Sequence, residues 1–104
     1  VIPGGVASAD HLRRDPAAVA LVFDFAEAGK LVAAVGHAPW LLIEADLVRG
    51  RTLTSWSSLR TDVVNAGGEW VEREVAVDDA LLTCAGSDQL GALGEELLRR
   101  APAP

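Results

Sequence analysis

Few side chains in this 104-residue chain could do chemistry: it holds two histidines, one cysteine and no tyrosine. His37 is the better placed histidine. It follows Gly36 at the end of the apolar run 31–35 and precedes Pro39, so it stands where a strand turns into a helix. An imidazole there is presented at the carboxyl end of the strand, the edge at which α/β proteins bind ligands. The preceding glycine permits positive φ and close approach of a ligand to the backbone. By itself the pair is also compatible with a capping or hydrogen-bonded histidine at a helix start. Cys84 lies near the end of a second expected strand, 80–84. It reads as a buried, inert thiol, or alternatively as a nucleophile at the same edge, although no base stands beside it in sequence. His11 follows Asp10 on a polar helix face and reads as solvated. Asp78-Asp79 is turn chemistry rather than a metal pair. Glu95-Glu96 and Arg99-Arg100 lie four apart, as helical ion pairs worth about a few tenths of a kcal/mol do. Trp40, Trp56 and Trp70 read as core or interface anchors. Of these, Trp40, one turn after His37, is the one placed to touch a bound ligand.

The elements that must hold these residues alternate at short intervals. Val1-Ile2 reads as a strand tail broken by Pro3-Gly4-Gly5. Ser8 is the expected cap of a short helix reaching Arg14. Asp15 caps a second, with Pro16 at its first position. Val19, Val22, Phe23 and Ala26 form its inner face, and Gly29 ends it. The run 31–35 predicts a strand buried on both faces, as in parallel sheets. A helix over 37–45 turns Leu41, Leu42 and Ala45 inward. A short strand is expected at 52–55, then a helix capped by Ser58 and closed by Gly67-Gly68. Residues 69–77 alternate apolar and polar, and Asp78-Asp79 turns the chain into a hairpin. Ser87 or Asp88 is expected to cap a last helix with Leu90, Leu93, Leu97 and Leu98 inward and Pro102 and Pro104 ending it. This alternation predicts an α/β fold with a mostly parallel sheet. The opening on a strand tail, with no methionine anywhere, reads as a chain that has lost its beginning.

Composition excludes several functions. Half the residues are hydrophobic and 23% charged, which is globular rather than disordered. Nine Lys+Arg against 15 Asp+Glu leave a net charge of −6, so nucleic acid is not an expected partner. The longest apolar runs are far too short to span a membrane. One cysteine makes neither an internal disulfide nor a zinc site, and a cytoplasmic setting without cofactor or metal is expected.

In order along the chain stand Pro3-Gly4-Gly5, Glu27-Ala28-Gly29-Lys30, Val32-Ala33-Ala34-Val35, then His37 and Pro39, and Leu41-Leu42. Val48-Arg49-Gly50-Arg51-Thr52-Leu53-Thr54-Ser55, Asn65-Ala66-Gly67-Gly68-Glu69-Trp70-Val71 and the hairpin from Val75 follow. With this order and spacing the chain resembles the C-terminal part of a DJ-1/PfpI family protein, of the PfpI-like branch. The resemblance implies that residues 1–104 are one portion of a single flavodoxin-like three-layer sandwich whose N-terminal strands are missing. It also implies homo-oligomers and a cysteine nucleophile on a strand-to-helix elbow followed by histidine. An acidic residue from the N-terminal part and an oxyanion site of backbone N–H groups at Gly5, His37 and Ala38 belong to the same implied site. The implied activities are those of a cysteine-type hydrolase, a glyoxalase or a deglycase acting on a small carbonyl or peptide-like substrate, with stress protection as the cellular theme.

The chain departs from that pattern at the decisive place. Gly36 stands where the nucleophilic cysteine is expected, and glycine has no sulfur to attack with. Ala38 replaces a usual glycine, Cys84-Ala85 a common Ser-Arg pair, and Ser87 a proline. Two functions follow: an enzyme of this type that is inactive in this chain, or a pseudoenzyme serving oligomerisation and interaction. A glutamine amidotransferase needs a late His-x-Glu pair, and the last histidine here is His37. A serine hydrolase of the G-x-S-x-G type fails because no serine occupies the elbow.

Overall fold

The computed structural model describes residues 1–100. Two short helices come first, α1 (Val6–Leu12) and α2 (Pro16–Glu27), followed by β1 (Val32–Val35) and α3 (Pro39–Glu44). Next are β2 (Thr52–Leu53), a 3-10 turn (Ser57–Leu59), α4 (Arg60–Asn65) and β3 (Glu69–Trp70). The hairpin β4 (Val75–Asp78) and β5 (Leu81–Cys84), a second 3-10 turn (Ser87–Gln89) and α5 (Leu90–Arg100) complete it. Strands β1, β5 and β4 form one sheet in that order, with β1 and β5 parallel and β4 antiparallel to β5. Strands β2 and β3 pair in parallel beside it, and Ile2 makes a single parallel bridge to Ala34 on the free edge of β1. The mostly parallel α/β arrangement expected from the sequence is present.

The central strands β1 and β5 are buried at every position, so the sheet is covered on both faces. In β1, Val32 and Ala34 join a cluster with α2, α3 and α4, including Val22, Leu42 and Val63. Ala33 and Val35 face the other way, against Leu82, Cys84 and Leu93 of α5. On the first face, Thr83 is fully buried and its hydroxyl accepts the Thr54 N–H at 2.9 Å, which ties the second strand pair to β5. Asp15 caps α2 by accepting from the Ala17 N–H, with Pro16 first in the helix, as expected. No helix among the described residues is long and apolar enough to cross a membrane.

Several expectations are corrected. Ser8 lies inside α1, not at its cap: the Gly5 carbonyl accepts the Ala9 N–H and starts the helix earlier. Ser58 lies within the first 3-10 turn, and Ser87 and Asp88 within the second, so none caps a helix through its side chain. Residues 69–77 are not one strand. After β3 the chain turns, with the Arg73 N–H donating to the Val71 carbonyl, and enters the other sheet as β4. On α2 only Val22 is buried, while Phe23 is exposed, as are Leu21 and Phe25. On α5, Leu93 is buried and Leu97 packs beside it, but Leu90 and Leu98 are exposed. A helix has one face against one sheet, so apolar residues spread around α2 and α5 cannot all turn inward. Pro102 and Pro104 lie outside the described residues.

Candidate functional site

The turn after β1 is built by sterics. Gly36 has φ +59, the left-handed region that side chains disfavour. It is locked there by four main-chain bonds. The Gly36 N–H donates to the Cys84 carbonyl at 3.0 Å, and the Trp56 N–H donates to the Gly36 carbonyl at 2.9 Å. The His37 N–H donates to the Gly4 carbonyl at 3.3 Å, and the Ala38 N–H to that of Val35 at 2.9 Å. The loop 3–5 lies directly over this elbow. A Cβ on Gly4 would stand 2.3 Å from the Val35 carbonyl oxygen, so only glycine fits there. A Cβ built on Gly36 would stand 3.1 Å from the Gly4 oxygen and 3.8 Å from that of Ala85. A side chain at position 36 would therefore leave the elbow between the glycine loop and the end of β5.

A cavity of about 510 Å³ opens at this point. Gly5, Gly36, His37, Trp56, Ser87 and Leu90 are among its lining residues. The His37 ring is flanked by two indoles. Trp40 meets it edge-on, with centroids 5.3 Å apart and planes at 61°. Trp56 is more nearly parallel, at 6.2 Å and 25°. Trp40, the tryptophan expected nearest a ligand, does not line the cavity. Its Nε1–H donates to the Asp62 carboxylate at 3.0 Å, and the Arg13 guanidinium covers its ring at 4.2 Å. Arg13 is itself held by Asp10 through bonds of 3.0 and 2.6 Å. Trp40 therefore braces the imidazole from behind.

Of the three amides considered for an oxyanion, His37 and Ala38 spend theirs on the carbonyls of Gly4 and Val35. The Gly5 N–H has no acceptor within the chain among the described residues, and Gly5 lines the cavity. Cys84 is fully buried under α5 and is absent from the cavity wall. Burial pushes its thiol pKa up, against a smaller opposing pull from the backbone of Gly86 and Gly36. A buried thiol with a raised pKa carries little thiolate, so its contribution is the carbonyl that fixes Gly36.

Asp78 is committed to structure. Its carboxylate accepts the Thr52 N–H at 2.7 Å and lies 3.2 Å from Arg51 Nε, joining the hairpin tip to β2. His11 is exposed, and Glu95 and Glu96 pair with Arg99 and Arg100 along α5. Sequence reasoning missed Trp56 and Ser87 as cavity residues. Both follow the ends of predicted strands, so the rule that singled out His37 applied to them equally.

Comparison with known proteins agrees with this fold. The sequence profile of the DJ-1/PfpI family matches residues 1–100. Protein/nucleic acid deglycase 2 of Escherichia coli is 46% identical over 100 residues, which cover 95% of this chain and 58% of that protein. Deglycase PfpI of Pyrococcus furiosus is 42% identical over 78 residues, covering 75% of this chain and 46% of that protein. A two-domain protein of Anabaena variabilis with DJ-1/ThiJ/PfpI-like and ferritin-like domains superposes with a TM-score of 0.92. It is 39% identical, and the match covers 95% of this chain and 28% of that one. Schizosaccharomyces pombe DJ-1 superposes at 0.88 over 98% of this chain and 54% of its own, and at 21% identity it shows the shared fold alone. The chain thus spans just over half the length of the E. coli relative.

Proposed function

The chain belongs to the DJ-1/PfpI family, and from that premise we propose that its elbow cavity is the substrate site of a protein of the deglycase, glyoxalase or cysteine-hydrolase type. The substrate is a small carbonyl or peptide-like compound. The covalent step is missing from this chain because the nucleophile position is Gly36.

One observation carries this reading. Gly36 is a left-handed residue between a buried parallel strand and a helix, it is followed by His37, and its missing side chain would emerge beside the glycine loop. A strained strand-to-helix turn of this kind holds a nucleophile clear of its neighbours. A thiol there would have the His37 imidazole as its neighbouring base, and the Gly5 N–H would face the oxygen of a carbonyl under attack. With glycine in place the same groups bind and orient a carbonyl compound, and no acyl or hemithioacetal bond forms.

Gly36→Cys tests the proposal. The variant is mixed with p-nitrophenyl acetate, and the expected result is a burst of p-nitrophenolate stoichiometric with the introduced thiol and faster than free cysteine gives at the same pH. The native chain, with Cys84 buried, gives no burst. An introduced thiol that is freely alkylated by iodoacetamide yet gives no accelerated burst overturns the assignment.

The second reading is a non-catalytic pseudoenzyme or oligomerisation module, and the exposed apolar residues of α2 favour it. Leu21, Phe23 and Phe25 are 60%, 43% and 40% exposed. Such a helix is suited to being covered on more than one side. Sedimentation of the chain as a stable oligomer, with no burst from Gly36→Cys, would support this reading over the first.

A further inference from the structure

Trp56 is 51% exposed, yet its main chain is firmly held. Its N–H donates to Gly36, and its carbonyl accepts from the Ser55 hydroxyl at 2.8 Å and the Leu59 N–H at 3.0 Å. The exposure therefore belongs to an anchored residue and does not come from a fraying loop. One edge of the ring rests on Gly86, where a Cβ would meet Cζ3 at 3.4 Å and Cε3 at 3.5 Å. His37 stands on another side of it. Between these supports the indole forms an upright wall of the elbow cavity. Val6 and Leu90, also about half exposed, line the same space. Three exposed apolar side chains converge on one cavity of about 510 Å³, within the usual range for small-ligand sites. The polar groups beside them are few: the Gly5 N–H, the Ser87 hydroxyl and the His37 ring.

We infer that the cavity takes an aromatic carbonyl compound, its ring laid against Trp56 and its carbonyl oxygen directed to the Gly5 N–H, and that Trp56 determines this preference. The inference rests on the elbow cavity being the functional one and adds the substrate class. The physical cause is that a flat ring covers an exposed indole over its whole face, whereas a puckered ring of equal size touches it at a few atoms. A planar partner laid on the half-exposed indole removes the covered face from water.

The test uses the chain as it stands, with no thiol and no turnover, so it is independent of the acylation experiment. Binding of 4-fluorobenzamide is followed by ligand-observed fluorine NMR, with 4,4-difluorocyclohexanecarboxamide as the puckered counterpart. The expected result is saturable binding of the aromatic amide and at least several-fold weaker binding of the cyclohexyl amide. Trp56→Ala should raise the Kd about tenfold or more, while Trp56→Phe, which keeps a flat ring, should stay within about threefold. Far-UV circular dichroism confirms that each variant is folded. Equal affinity for the two amides, an unchanged Kd in folded Trp56→Ala, or no binding of the aromatic amide at millimolar concentration would overturn the inference. Binding as expected alongside a failed burst from Gly36→Cys would remove the catalytic reading and leave the site.

Discussion

Gly36→Ala measures the strain on which the whole elbow depends. Two terms act on the folded state. The left-handed backbone at φ +59 costs a residue with a Cβ about 1–2 kcal/mol. The new methyl also stands 3.1 Å from the Gly4 carbonyl oxygen, so the glycine loop must yield by a few tenths of an ångström. Against these, alanine lowers the entropy of the unfolded chain and returns about 0.4–1 kcal/mol. Gly29 separates the terms, because it has φ +72 with nothing within 4 Å of its would-be Cβ. Gly29→Ala therefore reports the backbone cost less the entropy gain, about 0.5–1 kcal/mol net, and Gly36→Ala, which adds the contact with the glycine loop, should lose about 1–2 kcal/mol. For a domain of this size each kcal/mol lowers Tm by about 4–8 °C. Thermal and urea melts of the two variants and the native chain, followed by far-UV circular dichroism, give both numbers. If Gly36→Ala is no less stable than Gly29→Ala, the glycine loop does not press on the elbow. If neither differs from the native chain, the left-handed turn itself is wrong. The same strain falls on any side chain at position 36, so a functional group there is tolerated only because four main-chain bonds hold the turn.

Two further predictions concern groups that the site does not use. Cys84 is buried and its pKa is raised by that burial, so iodoacetamide at neutral pH should label it at least about tenfold more slowly than free cysteine and rapidly only in urea; fast native labelling would contradict its placement under α5. The Thr52 N–H lowers the pKa of Asp78, burial opposes that shift, and Arg51 lowers it further. A folded pKa below the unfolded one means the contribution is complete above the ordinary aspartate range and is lost as pH falls through the folded value. Asp78→Asn should therefore be less stable than the native chain near about pH 7, with the gap closing as the pH falls below the ordinary aspartate range. Urea midpoints that stay parallel across that range would count against the Thr52 and Arg51 contacts.

The local grammar of the fold was legible where one residue type has one structural use. Asp15-Pro16 starts a helix, Gly29 ends it, and the apolar run 31–35 is a strand buried on both sides because no polar residue interrupts it. The hairpin of β4 and β5 followed from Asp78-Asp79, with Asp79 in the left-handed region at φ +54. Alternation misled at 69–77, since period-two patterning marks strand-like residues but does not say that they share a sheet. Capping misled at Ser8 and Ser58, because a serine before a helix is one of several ways to start it.

The site divides along the same line. Sequence order alone determined the turn at Gly36-His37 and the family, since the first depends on adjacent residues and the second on the order and spacing of short motifs along the chain. Only the tertiary structure decided which indole faces the cavity. Trp40, three residues from His37, is drawn behind it by Asp62 and Arg13, while Trp56, nineteen residues away, is brought to the opening through its bond to Gly36. Tertiary structure likewise decided that the His37 and Ala38 amides are occupied and that of Gly5 is not. The physical reason is that spacing along a chain sets which face of an element a residue shares. Which faces meet depends on hydrogen bonds and packing between segments far apart in sequence, and these appear only once the strands are in register.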